Sequence, residues 1–158
     1  MRSTAQPGTS PWIRLAVVAA WAVAFAVVEA TVVYYLRRIF VLQYSAVFTE
    51  RRFHFPHAYL GHEQAREAAT IVMLLAVGFL AGRGWWQRLA YFLFAFGLWD
   101  IGYYVALKIM LDWPASPGTR DLLFLLPSEW WAPVWQPVLA SSCFMAVAVL
   151  VVWWKRRV

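Results

Sequence analysis

From Trp12 to Leu36 the chain runs for 25 residues with only two charges, Arg14 and Glu29. At 1.5 Å per residue a helix over this stretch rises ~37 Å, more than the ~30 Å hydrocarbon thickness of a bilayer. Comparable runs recur over 62–82, 86–110 and 133–154. A segment this apolar must satisfy its backbone internally, so these stretches are expected to be membrane-spanning helices. The expected fold is an all-α, integral membrane four-helix bundle forming a single transmembrane domain over residues 1–158.

Composition agrees with that class: 63% of residues are hydrophobic and 14% charged, against about a half and a quarter in soluble domains. Mean hydropathy is +0.58. The net charge of +6 does not make a nucleic-acid surface, because the Lys and Arg residues lie at span ends, where they set topology and meet headgroups. The lipid bilayer is thus the expected partner. The single cysteine, Cys143, excludes an internal disulfide and reads as a small apolar residue of the last span. Arg2 and Arg14 before an Ala/Val-rich run suggest a signal peptide, but the run continues past Ala22-Val23-Ala24 to Leu36, which favours a retained helix.

Ser10-Pro11 is a natural start for the first helix, and Arg37-Arg38 a natural end. The connection over 39–60 carries Phe40, Tyr44, Phe48, Phe53, Phe55 and Tyr59 beside Arg51 and Arg52, the composition of an amphipathic interfacial segment. The second span is short. Its uninterrupted apolar part, 68–82, rises only ~22 Å, so the charged turn from His62 to Glu67 must join it to cross. The third span contains Asp100 and ends near Lys108. Residues 121–129, bounded by Pro127 and too short to span, are expected to form a re-entrant or interfacial piece before the last helix.

With four spans, the N-terminus, the turn at 82–85 and the C-terminus share one side, A, and both long connections share side B. Seven Lys and Arg residues fall on each, so counting does not orient the chain. Those on side A hug the span ends in short segments, where the positive-inside rule acts most strongly. The expected placement is a bacterial inner membrane with both termini cytoplasmic.

The acids give a second level of information. Counted from side B, Glu29, Glu67 and Asp100 lie roughly 9 to 15 Å deep on three different helices. A charge at such depth costs at least ~2.5–3.5 kcal/mol on insertion scales, so an ionisable residue inside a span marks a candidate functional site. Glu63, Glu67 and Thr70 share a face by i, i+4, i+7 spacing, and Gly97, Asp100, Tyr103 and Tyr104 flank another. Arg66 and Lys108 supply countercharge, and the tyrosines supply donors.

One account of this cluster is structural, with buried pairs fixing helix register. The other makes Glu29, Glu63, Glu67, Asp100, Tyr103, Tyr104, Arg66 and Lys108 a site for a proton, a cation or a small polar ligand. A metal ion would draw on His62 and Glu67, although the paired Glu-x-x-His motifs of helical di-iron sites are absent. His54, His57 and His62 match no ligand spacing and read as interfacial. Haem is not expected, since none of the three histidines lies deep in a span. Most tryptophans, including Trp12, Trp85, Trp86, Trp130, Trp131, Trp153 and Trp154, fall at span ends as an aromatic belt predicts.

Leu126-Pro127-Ser128-Glu129 resembles the proline-glutamate motif of membrane carotenoid cyclases over those few residues, with Trp130 in place of the second acid. The overall pattern looks like that of small bacterial membrane proteins, which implies no activity. Two rivals stand beside the ligand site. One is a non-catalytic accessory subunit of a larger membrane complex, suggested by small residues at Ala20, Ala22, Ala24 and Ala26. The other is an intramembrane enzyme acting on a lipid or isoprenoid, for which no motif selects a reaction.

Overall fold

The computed structural model of the protein describes residues 9–43 and 57–154. It is mostly helical, with helices α1 (Pro11–Gln43), α2 (His57–Ala81), α3 (Trp85–Leu111) and α4 (Trp135–Trp154), and two short strands, β1 (Arg120–Phe124) and β2 (Trp130–Pro133), ahead of α4. All four helices are long and apolar enough to cross a membrane.

Two boundaries differ from expectation. Arg37-Arg38 does not end α1, which continues to Gln43. Arginine is a strong helix former, and both guanidiniums rest on rings instead of breaking the turn: Arg37 lies 4.0 Å from the Trp113 ring centre and Arg38 5.3 Å from that of Tyr34, one turn back. Helix α2 begins at His57 and includes the whole charged turn, which is what its short apolar run requires. The interfacial reading of the 39–60 connection falls mainly on 44–56, outside the described residues, as does His54.

The piece over 121–129, expected to be re-entrant or interfacial, is built on strand pairing. It belongs to an antiparallel β-hairpin, with Asp121 opposite Ala132, Leu122 opposite Trp131, and a bulge between Leu122 and Phe124. Pro127 rules out helix continuation, and bulky residues favour the pleated alternative. Phe124 and Trp130 stack across the strands with ring centres 6.3 Å apart, a pairing of the kind that stabilises sheets.

Helix α3 is the centre of the bundle. Val18, Ala22, Ala26 and Ala30, four residues apart on α1, are all buried, and Ala26 packs where a Cβ on Gly102 of α3 would come within 2.9 Å. On the opposite flank, a Cβ on Gly97 would sit 2.6 Å from the Ser141 carbonyl oxygen of α4, so glycine sets that approach. Gly78 of α2 likewise lies against the Phe92 backbone of α3. Ala22 and Ala26 therefore serve contacts within this chain, while Ala20 and Ala24 face outward.

Polar contacts fix which helix ends lie together. Arg14 donates to the Ala81 carbonyl at 3.2 Å and the Tyr91 hydroxyl to that of Pro11 at 3.1 Å, which gathers the starts of α1 and α3 with the end of α2 on side A. One apolar cluster, around Leu74, Tyr91 and Val152, fills that half. A smaller one, around Ala30 and Leu107, lies towards side B. The acids Glu29 and Asp100 occupy the levels between them.

Candidate carboxylate site

Glu29 is buried on α1 and faces α2, where the Arg66 guanidinium and the Thr70 hydroxyl both donate to it, the latter at 2.7 Å. Arg66 also grips Glu63, one turn back, through Nε at 2.9 Å and Nη2 at 2.7 Å. One cation thus serves two buried carboxylates. This is the pairing of α1 to α2, and it occupies both Glu63 and Glu29.

Glu67 turns to the hairpin. Its Oε2 accepts the backbone N–H of Leu125 at 2.7 Å and its Oε1 that of Leu126 at 3.1 Å. Residues beyond the last strand pairing have no ladder partner for these amides, and buried N–H groups are seldom left orphaned. The α2 carboxylate therefore caps the hairpin tip.

Asp100 faces α4 instead of α1 or α2. It accepts a 2.8 Å hydrogen bond from Ser141, which is itself buried. One turn on, the Tyr104 hydroxyl reaches out of the helix to Asp121 of β1 at 3.0 Å. Burial pushes the Asp121 carboxyl up to about 6, although the Tyr104 hydroxyl, the nearby Arg37 and the Leu122 backbone amide all favour its charged form. Tyr103 lies between the two groups, within electrostatic reach of Asp121, Arg37, Arg66 and Glu29. Asp100 and Asp121 also feel one another.

The result is a polar layer at the side-B end of the bundle with an excess of acid. Glu29 and Glu63 meet the guanidinium of Arg66, Asp121 lies within electrostatic reach of Arg37, and Asp100 meets the Ser141 hydroxyl. Among the described residues, Asp100 and Asp121 form no ion pair and have side-chain hydroxyl donors.

The chain matches no family model, no curated protein and no solved structure.

Of the residues expected to converge, Glu29, Glu63 and Arg66 form one hydrogen-bonded group, whereas Asp100 bonds Ser141 and Tyr104 bonds Asp121 in separate contacts, with the Tyr103 and Tyr104 ring centres 5.3 Å apart. Lys108 joins none of these contacts: its amine pairs with Asp112 at 2.7 Å and donates to the Pro114 carbonyl, which holds the Asp112 carboxyl below the usual range. His62 is exposed, and the Glu67 oxygens each accept a backbone amide of the hairpin. No group of three or more His, Cys, Asp or Glu residues suited to a metal occurs among the described residues.

Asp121, Ser141 and Arg37 carry the site but are not apparent in the sequence. The only signals for them are an acid opening a short apolar run and a Ser-Ser pair inside an apolar helix. Trp99, beside Asp100, stacks with Phe25 and Tyr103 at centre distances of 6.3 and 6.4 Å. Its indole N–H is buried without an acceptor among the described residues. Cys143 faces outward from α4.

Proposed function

We propose that this is a polytopic membrane protein that takes up and releases a proton where α3 meets α4 and the hairpin, with Asp100 and Asp121 as the exchanging groups. The observation that carries this reading is the division among the acids. Glu29 and Glu63 are bound by Arg66, and Glu67 by two backbone amides. Asp100 and Asp121 are held by Ser141 and Tyr104, hydroxyls that can accept from a protonated carboxyl as well as donate to an ionised one. A proton can therefore come and go at these two groups without an ion pair being broken. Asp121, at about 6, titrates in the range where cellular pH changes act.

The proton is favoured over a metal or larger cation because the carboxylates are joined to hydroxyls instead of converging on a shared centre. Tyr104 lies one turn from Asp100 and bonds Asp121, which makes it the group that senses both. The placement we adopt is the bacterial inner membrane with side A cytoplasmic. Arg14, Arg83 and Arg88 cluster at the tight turn between α2 and α3 and support that orientation.

The test is an infrared pH titration of the protein in its membrane, following the carboxylic-acid carbonyl bands. Two titrating bands are expected, one lost in Asp100→Asn and the other in Asp121→Asn. A spectrum without such bands, or one unchanged in the double variant, would overturn the proposal. The accessory-subunit reading keeps the outward faces of α2 and α4 in its favour, but Ala22 and Ala26 are already used inside the chain.

A further inference from the structure

On the outer face of the α3–α4 seam, away from α1 and α2, two adjoining furrows of about 690 and 530 Å³ share Ile101 and Ser142 as a common wall. The volume of each falls in the range of small-molecule sites, about 300–1,000 Å³. The furrow nearer side B is closed above by the 114–117 loop and flanked by Trp135 and Leu139. The other continues along α4 to Leu150. From Trp135 to Leu150 the helix rises ~22 Å, most of the hydrocarbon thickness.

The polarity of this groove is graded. Its length is apolar, and its one charged lining residue, Lys108, stands at the side-B mouth in the last turn of α3. Lys108 is half exposed, and its partner Asp112 is 92% exposed. A pair that solvated is worth little, so another anion can replace it. A long apolar slot in a membrane-spanning surface with an exchangeable cation at the interfacial end matches an amphiphile whose anionic head lies at that level. An apolar partner helix, 10–12 Å across, would leave the lysine without a new anion.

We infer that the α3–α4 groove binds an anionic glycerophospholipid, with an acyl chain along Ile101, Ser142 and Ala146 and its phosphate on Lys108. This rests on the membrane placement and not on the exchanging carboxylates, and it adds a lipid site on the opposite flank of Tyr104.

The experiment is native mass spectrometry of the full chain released from nanodiscs of equal phosphatidylglycerol and phosphatidylcholine. One retained lipid is expected, with phosphatidylglycerol favoured about fivefold, the effect of one basic residue near a membrane surface. Ala146→Phe and Ser142→Phe fill the groove from exposed positions, and each should abolish retention without lowering the melting temperature. Lys108→Gln should keep a lipid but lose the headgroup preference, and Asp112→Asn should increase that preference by releasing the lysine. Equal retention of both lipids by the wild type, or retention unaffected by the two phenylalanine variants, would overturn the inference. A co-purifying membrane protein lost in those variants would overturn it too, in favour of a helix as occupant.

Discussion

The cap that Glu67 places on the hairpin tip can be tested by one atom-scale change, Glu67→Gln. The carboxylate accepts two backbone N–H groups, one per oxygen, at 2.7 Å from Leu125 and 3.1 Å from Leu126. A glutamine keeps one acceptor and turns an N–H donor towards the other amide. Hydrogen bonds to a charged acceptor contribute about 1.5–3 kcal/mol each when part-buried. Leu125 is buried, so its bond stands at that level, whereas Leu126 is 41% exposed and its bond contributes less. The substitution should cost the closed hairpin about 2–3 kcal/mol. At 1.4 kcal/mol per factor of ten, the open population rises about 30- to 140-fold. Hydrogen–deuterium exchange of peptides covering 122–128 reads this directly, with the α3 peptide over 90–98 as the internal reference. Unchanged exchange at Leu125 and Leu126, or an equal rise across α3, would refute the capping argument.

Arg66→Met leaves Glu29 and Glu63 buried without their cation, a loss of about 3 kcal/mol given that Arg66 is itself partly exposed; thermal unfolding in detergent should show it, and adding Glu29→Gln and Glu63→Gln should recover much of it. Gly97→Ala puts a methyl 2.6 Å from the Ser141 carbonyl and should cost about 1–3 kcal/mol, whereas Gly84→Ala, with open space at its Cβ, should leave the same melting curve in place. The pH dependence follows from Asp121, whose folded value of about 6 lies above its ordinary 3.8. Between these values the folded protein keeps a proton that the unfolded chain releases, so stability should fall as pH rises through that window. Asp121→Asn should flatten this slope, and a melting temperature that instead rises over the same pH interval would contradict the sign.

The four helices long and apolar enough to cross a membrane were legible because a bilayer would impose length and apolarity directly on sequence. The run from Trp86 needed one residue more at each end, whereas the run from Trp12 continues seven residues past Leu36 to Gln43. Level was legible in part: Glu29 bonds Arg66 and Thr70, which flank Glu67 on α2, whereas Asp100 bonds Ser141 on a different helix. What counting lacks is azimuth. The direction each acid faces depends on which helix is central, and that is decided by the close approaches at Gly78, Gly97 and Gly102, whose partners lie on other helices. Hence Glu29 meets Arg66, Asp100 meets Ser141, and Glu67 meets neither. The hairpin was not legible for a different reason. Leu122 to Leu126 is apolar throughout, without the alternation that separates a strand from a buried helical turn, and the pairing of Phe124 with Trp130 exists only once the chain has folded back.

The hairpin also joins the two kinds of acid. Asp121 lies at the start of β1, and the amides that Glu67 caps lie just beyond its end, so one strand carries both the carboxyl proposed to exchange a proton and the anchor of the α2 carboxylate. The burial that raises Asp121 is created by this strand lying over Tyr104, and Glu67 holds the strand's far end down. An open hairpin would admit water to Asp121 and release the Tyr104 hydroxyl, bringing the group back towards its ordinary value. Proton affinity at Asp121 and closure of the hairpin are then one equilibrium observed at two places. By linkage, whatever favours the closed strand favours the proton, and the proton favours the closed strand by the same factor.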